Sequence, residues 1–305
     1  MLAALALVLA LLGGWAWTPD LDRATLEARY LAAPADMIDL AGTRLHVRDT
    51  GPRDAPVVLL MHGFGASLHT WEPWALALQD RYRVIRFDLP GSGLSPPDPS
   101  GDYTDARSRA LVTAVLDHAG VAQATIVGHS MGGRIAWSYA AREPQRVRAL
   151  VLVAPDGFAS PGFEYGKAPE VPALLSLMRY ALPEPLLRRS LRPAYANPDV
   201  MTDALAQRYH DLLRAPGARD AMLERMRQIA LVDPVPWLHR ITAPTLLLWG
   251  EQDAMIPVRN ATDYQQAIAG STLVTLPGIG HLPHEEDPAG TLVPLRRFLD
   301  AQAAP

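Results

Sequence analysis

From Met37 onward, short apolar or β-branched runs alternate with longer stretches of helical period, and this alternation leaves few folds open. Residues 44–48, 57–61, 83–87, 125–127, 149–153, 245–249 and 272–276 read as strands; residues 71–78, 105–119, 131–142, 259–269 and 291–301 read as helices. Several of the strands carry no polar residue, as in Val57-Val58-Leu59-Leu60-Met61. A strand of that kind is buried on both faces, which predicts an α/β fold: a mainly parallel sheet with helices on both sides. The first two strands, joined without a helix, are expected to pair as an antiparallel edge.

One stretch breaks the alternation. Residues 155–236 contain no convincing strand, but they hold prolines and short amphipathic runs at 172–180, 184–191, 199–213 and 218–229. An inserted helical cap between two strands is the economical reading, placed over the strand ends where open α/β sheets bind ligands. The expected division is therefore a core of residues 37–154 and 237–305, the cap at 155–236, a connector at 18–36, and a separate segment at 1–17.

That first segment, Met1 to Trp17, is uncharged and ends in Gly13-Gly14-Trp15-Ala16-Trp17. As a helix it would reach roughly 25 Å, at the short limit for crossing a bilayer. No Lys or Arg precedes Arg23, and tryptophans stand where a cleavage site would need small residues. An uncleaved anchor fits better than a cleaved signal or a helix folded onto the domain. The expected location is membrane-anchored or exported, on the periplasmic side in a bacterium, with membrane association through residues 1–17.

A net charge of −4 over 305 residues gives no electrostatic reason to bind nucleic acid. The absence of cysteine removes thiol nucleophiles, disulfides and cysteine-held metals, leaving serine, carboxylate and imidazole chemistry. Gly128-His129-Ser130-Met131-Gly132 follows an apolar run and opens a helical stretch. This is the G-x-S-x-G nucleophile elbow, whose glycines permit a tight strand-to-helix turn that thrusts the serine hydroxyl outward. The helix N-terminus then lies beside the oxyanion that forms on attack. No HExxH occurs, and Gly91-Ser92-Gly93 lacks the rest of a dinucleotide fingerprint, so no metal or cofactor is expected.

Residues 37 to 302 resemble the α/β-hydrolase superfamily. Gly-His-Ser-Met-Gly-Gly at 128–133 is similar to the esterase form of the elbow, His62-Gly63-Phe64-Gly65 resembles the oxyanion loop, and Asp88-Leu89-Pro90-Gly91-Ser92-Gly93 resembles the turn after the next strand. The resemblance implies the chain order serine, acid, histidine. It points to Ser130 as nucleophile, Asp253 in Gly250-Glu251-Gln252-Asp253 as the acid, and His281 after Gly280 as the base. The run from His281 to Glu286 and Pro288 is similar to the family's G-H-x-x-x-x-E-x-P pattern. Rivals are Asp156, where some members carry their acid, and His284; His62 and His129 read as neutral side chains bonding loop backbone. The oxyanion donors implied are the backbone N–H groups of Phe64 and Met131.

The expected function is hydrolysis of small to medium uncharged carboxylic esters through an acyl-enzyme. The cap residues Leu174, Leu175, Leu177, Met178, Leu182, Leu186 and Leu187 are divided between cap core and acyl pocket. Two other readings stand beside it: a carbon–carbon hydrolase of vinylogous diketones, whose members commonly have Asn where this chain has His129, and a non-catalytic binding protein on the same fold.

Overall fold

Successive side chains of the central strands enter two different cores. Val58, Leu60, Val84, Val127, Val151, Leu246 and Leu248 pack into one with Trp71, Trp74, Leu295 and Leu299. Their neighbours Leu59, Met61, Ile85, Ile126, Leu150, Leu152 and Leu247 pack into the other with Leu111, Val115, Ile135 and Tyr264. With a period of two, a strand that is apolar throughout buries both faces. Each such side chain contributes about 1.5–3 kcal/mol, which holds these strands in the middle of the sheet.

The computed structural model describes Met1, residues 13–159 and residues 164–303. Its sheet comprises β1 (Met37–Leu40), β2 (Thr43–Thr50), β3 (Val57–Met61), β4 (Arg83–Phe87), β5 (Ala124–His129), β6 (Val147–Val153), β7 (Thr245–Gly250) and β8 (Thr272–Leu276), in the order β1-β2-β4-β3-β5-β6-β7-β8. The β1–β2 and β2–β4 pairs are antiparallel, and every other pair is parallel. Helices Asp105–His118, Met131–Ala140 and Arg259–Ala267 cover one face; Glu72–Leu78 and Pro288–Ala303 cover the other. This is the α/β architecture expected.

Two details of the edge differ from expectation. β1 was not foreseen, being only Met-Ile-Asp-Leu with partly exposed side chains. β2 and β3 do not pair, because β4 lies between them. All five residues of β4 are buried, whereas β2 is only partly covered from Arg48 to Thr50, so β4 takes the interior place. Asp49 of β2 grips the Arg83 guanidinium of β4 at 2.7 Å across the new boundary.

Between β6 and β7 the chain leaves the sheet for a helical insertion: a 3-10 helix Ala173–Arg179, then helices Glu184–Leu191, Asp203–Leu213, Ala218–Gln228 and Val235–Leu238. The N-terminal helix Arg23–Tyr30, capped by Asp22 on the Thr25 amide, buries Leu26 against Leu94, Leu212, Ala215 and Ala218. Just before it, Trp17 bridges Ala181, and Thr18 exchanges hydrogen bonds with Tyr180 and Leu182. Most of the expected anchor, residues 2–12, lies outside the described residues. Among the described residues no helix is long and apolar enough to cross a membrane.

Candidate active site

The elbow forms where β5 ends and helix Met131–Ala140 begins, and it requires close approach of backbones. A Cβ added at Gly132 would fall 2.5 Å from the carbonyl oxygens of Met61 and His62, and one at Gly128 would fall 2.3 Å from the Gly132 oxygen. Ser130 itself carries φ 53°, ψ −121°, a conformation that costs an L-residue on the order of 1–3 kcal/mol. Three hydrogen bonds fix it: the Ser130 amide donates to Val153 at 3.0 Å, and its carbonyl accepts from Arg134 at 3.0 Å and Asp156 at 3.1 Å.

Asp253 and His281 come together from the loops after β7 and β8. The His281 Nδ1 lies 2.7 Å from Asp253 Oδ2, while Oδ1 accepts the amides of Met255 and Ile256, both at 2.8 Å. The Asp253 carboxylate is wholly buried, so these three donors stand where water would otherwise be. A carboxylate on Nδ1 holds the proton there and leaves Nε2 with the free lone pair. Ser130 and His281 line one cavity of about 240 Å³, together with Phe64 and Met131. Among the described residues no hydrogen bond joins the Ser130 hydroxyl to the imidazole, a contact that often tightens only when substrate is bound.

The rivals take other partners. Asp156 also lines the cavity, but its carboxylate bonds Arg134 at 2.8 Å, and Arg134 is held on its other side by Asp105. His284 turns away, stacked on Trp71 at 4.1 Å and donating to the Thr70 hydroxyl at 2.9 Å. His129 donates from Nε2 to the His281 carbonyl at 2.8 Å, and His62 accepts the Leu89 amide at Nε2 while its Nδ1 faces the Gly63 carbonyl at 2.8 Å. Burial pushes the pKa of His62, His129 and His284 below the ordinary imidazole value, and that of His69 down to about 4. All four therefore stay neutral and serve as fixed links between loops.

The His62 loop lies against the elbow. A Cβ at Gly63 would sit 3.2 Å from that of Ser130, a contact that brings Phe64 to the cavity wall opposite the start of the helix. The rest of the wall is apolar: Met226, Ile229, Leu231, Met255 and Ile256, with Pro169. None of the seven cap residues proposed from sequence is among them. Leu187 is buried in a separate cluster with Ala66 and Tyr209, and Leu174, Leu175, Leu177 and Leu186 face outward.

Sequence reasoning also missed how the insertion holds the His281 loop. The His281 amide donates to the Ala194 carbonyl at 2.8 Å. Glu286 accepts the amides of Gly280, Ala196 and Asn197, at 2.8, 3.2 and 2.7 Å. Glu285 beside it receives Tyr195 (2.6 Å), Tyr209 (3.0 Å), Thr70 (2.8 Å) and Arg208. Burial chiefly pushes both phenols up, so they remain protonated donors. The only signal in the sequence was the glutamate pair in the run after His281.

Residues 56–288 match the family model for the alpha/beta hydrolase fold. An uncharacterized protein of Mycobacterium tuberculosis is 31% identical over 262 residues, covering 80% of this chain and 75% of its own. Among solved structures, a bacterial membrane phospholipase A aligns with a TM-score of 0.74 at 27% identity, covering 100% of this chain and 99% of the other. The enol-lactonase of Burkholderia xenovorans LB400 aligns with a TM-score of 0.74 at 26% identity, covering 87% and 99%.

Two expectations follow from this geometry. Gly132→Ala forces a methyl group onto two carbonyl oxygens and should destabilise the protein by about 3 kcal/mol in urea unfolding; a midpoint equal to the parent's would mean the backbones are not in contact there. The buried histidines set a pH dependence. Their folded pKa values lie below the unfolded value near 6.5, so the unfolded chain takes up protons that the folded one refuses, and stability is lost as pH falls below about 6.5. His69 alone accounts for about 2 kcal/mol at pH 5. Urea midpoints should be level between pH 7.5 and 8 and fall steadily towards pH 5, and a flat profile would contradict the neutral assignments.

Proposed function

The chain belongs to the α/β-hydrolase family and is a hydrolase, and from that premise we propose that it cleaves carboxylic esters with Ser130 as nucleophile, His281 as general base and Asp253 as the orienting acid. The observation that carries the reading is the buried Asp253–His281 pair, 2.7 Å apart, with its imidazole in the cavity that Ser130 also lines. The Ser130 Oγ attacks the ester carbonyl while His281 Nε2 takes its proton, and Asp253 stabilises the imidazolium. The carbonyl oxygen, now negative, accepts from the amides of Phe64 and Met131, each donor contributing about 3 kcal/mol in the transition state. His281 then returns the proton to the departing alcohol. A water molecule, activated by the same nitrogen, releases the acid from the acyl-enzyme.

The insertion at 155–236 acts as a cap in this reading, and Met226, Ile229 and Leu231 from it meet Met255 and Ile256 to enclose the acyl group. An apolar, enclosed wall favours uncharged acyl chains of about C4 to C8, each methylene adding up to about 0.8 kcal/mol until the cavity is filled. The enol-lactonase among the similar structures supports ester chemistry, since a lactone is a cyclic ester. The apolar residues 1–17 attach the enzyme to a membrane or mark it for export.

A fluorophosphonate probe should label the protein at Ser130, and Ser130→Ala should abolish labelling and ester turnover together. Asp253→Asn should lower kcat by about a thousandfold or more, against a milder loss in Asp156→Asn. Reversal of that ranking, or labelling that survives in Ser130→Ala, would overturn the assignment. On a p-nitrophenyl ester series, kcat/KM should rise with acyl length, peak at about C4 to C8 and fall. A vinylogous diketone preferred by about a hundredfold would replace ester cleavage with carbon–carbon hydrolysis, a difference of about 3 kcal/mol in transition-state binding.

A further inference from the structure

Five large apolar side chains stand exposed outside the cavity at one junction of the fold: Trp15 (59%), Trp17 (60%), Leu174 (77%), Leu177 (54%) and Tyr180 (56%). Three of them are placed by the winding of one segment. Residues Ala173–Arg179 form a 3-10 helix, and at three residues per turn the positions 174, 177 and 180 fall in a single row along its outer side. The other two come from the N-terminal part of the chain, where Trp17, two residues after Trp15, is fastened to that row. The Trp17 ring stacks on Tyr180 with centroids 6.1 Å apart and planes 5° from parallel. The Thr18 amide donates to the Tyr180 carbonyl at 2.8 Å, and the Leu182 amide donates to the Thr18 hydroxyl at 3.0 Å. Beneath them the buried Arg219 donates to the carbonyls of Thr18 (2.7 Å) and Met178 (3.2 Å), tying both segments to helix Ala218–Gln228.

The patch is therefore built rather than incidental, and the sequence says what precedes its tryptophans. In the sequence, the residues from Leu2 to Leu12 that precede Gly13-Gly14-Trp15 are all Leu, Ala or Val. A surface whose two tryptophans follow an uncharged aliphatic run in the sequence, and which also carries a tyrosine and two exposed leucines, has the chemistry of the boundary between lipid headgroups and acyl chains. There, aromatic rings with one polar atom settle beside buried aliphatic side chains.

We propose that the face carrying Leu174, Leu177, Tyr180, Trp15 and Trp17 is a membrane-docking surface, which seats the insertion on a lipid bilayer alongside the N-terminal segment. The proposal is independent of the catalytic assignment, because none of the five residues lines the cavity. It differs from a spanning anchor in that the folded domain itself touches the lipid.

The test uses the full-length protein and flotation with phosphatidylcholine vesicles, with and without phosphatidylglycerol. The double variant Leu174→Ser, Leu177→Ser should keep its hydrolysis of soluble p-nitrophenyl butyrate within about twofold and lose vesicle partitioning by about tenfold or more. In a second measurement that leaves the row untouched, vesicles with brominated acyl chains should quench part of the parent's tryptophan fluorescence, and Trp15→Phe, Trp17→Phe should remove that part. Equal flotation of the double variant and the parent would overturn the proposal, as would a parent that does not float or is not quenched. Loss of a dimer in the double variant with unchanged flotation would assign the face to a second copy of the chain instead.

Discussion

The site depends on how closely two backbones approach at the end of β5. Gly132 packs against the carbonyls of Met61 and His62 with no room for a side chain, and Gly63 leaves only contact distance to Ser130. That approach brings the ends of β3 and β5 together with the start of a helix, so that Ser130, Met131 and Phe64 line one cavity. The unfavourable dihedral angles of Ser130 follow from it. They are sustained because the Ser130 amide and carbonyl are both hydrogen-bonded, to Val153 on one side and to Arg134 and Asp156 on the other.

Around this point the protein separates two kinds of histidine by their partners. His281 has a carboxylate that can compensate a positive charge, and it lines the cavity. His62, His69, His129 and His284 have carbonyls, amides, a hydroxyl or indole rings for neighbours, and burial makes protonation unfavourable. His46 also faces a carboxylate, Asp88 at 2.8 Å, but it does not line the cavity. The four neutral rings act as rigid spacers, and His129 supports the loop by holding the carbonyl of His281.

The strands that fill the sheet interior were legible because each is apolar at every position, and the elbow was legible because its glycines follow such a strand. β1 was not, being four residues of mixed polarity whose pairing comes from β2 rather than from its own pattern. The order β2-β4-β3 was equally hidden, since relative burial of whole strands decides it and no local spacing records that. In the insertion, leucine content suggested a pocket wall, but the 3-10 winding of Ala173–Arg179 turned Leu174 and Leu177 outward and left the wall to Met226, Ile229 and Leu231. Ser130, Asp253 and His281 were each singled out through a loop motif after a strand, where chain order carries information, and the structure brings Asp253 to 2.7 Å from His281. The Ala194 carbonyl that holds the His281 amide, and the amides of Ala196 and Asn197 that bond Glu286, lie in the insertion, where chain order carries no such information.

The grip of residues 194–197 on the His281 loop bears on modularity. An insertion between two strands is in principle exchangeable, because β6 and β7 pair with each other and not with it. Here the Ala194 carbonyl and the amides of Ala196 and Asn197 complete the hydrogen bonding of His281 and Glu286. A transplanted insertion of identical length but different backbone path would leave Glu286 with unused acceptor capacity and the imidazole loop without its tether. Recombination in this protein, natural or engineered, is thereby confined to segments that carry this short stretch along with the loop it holds.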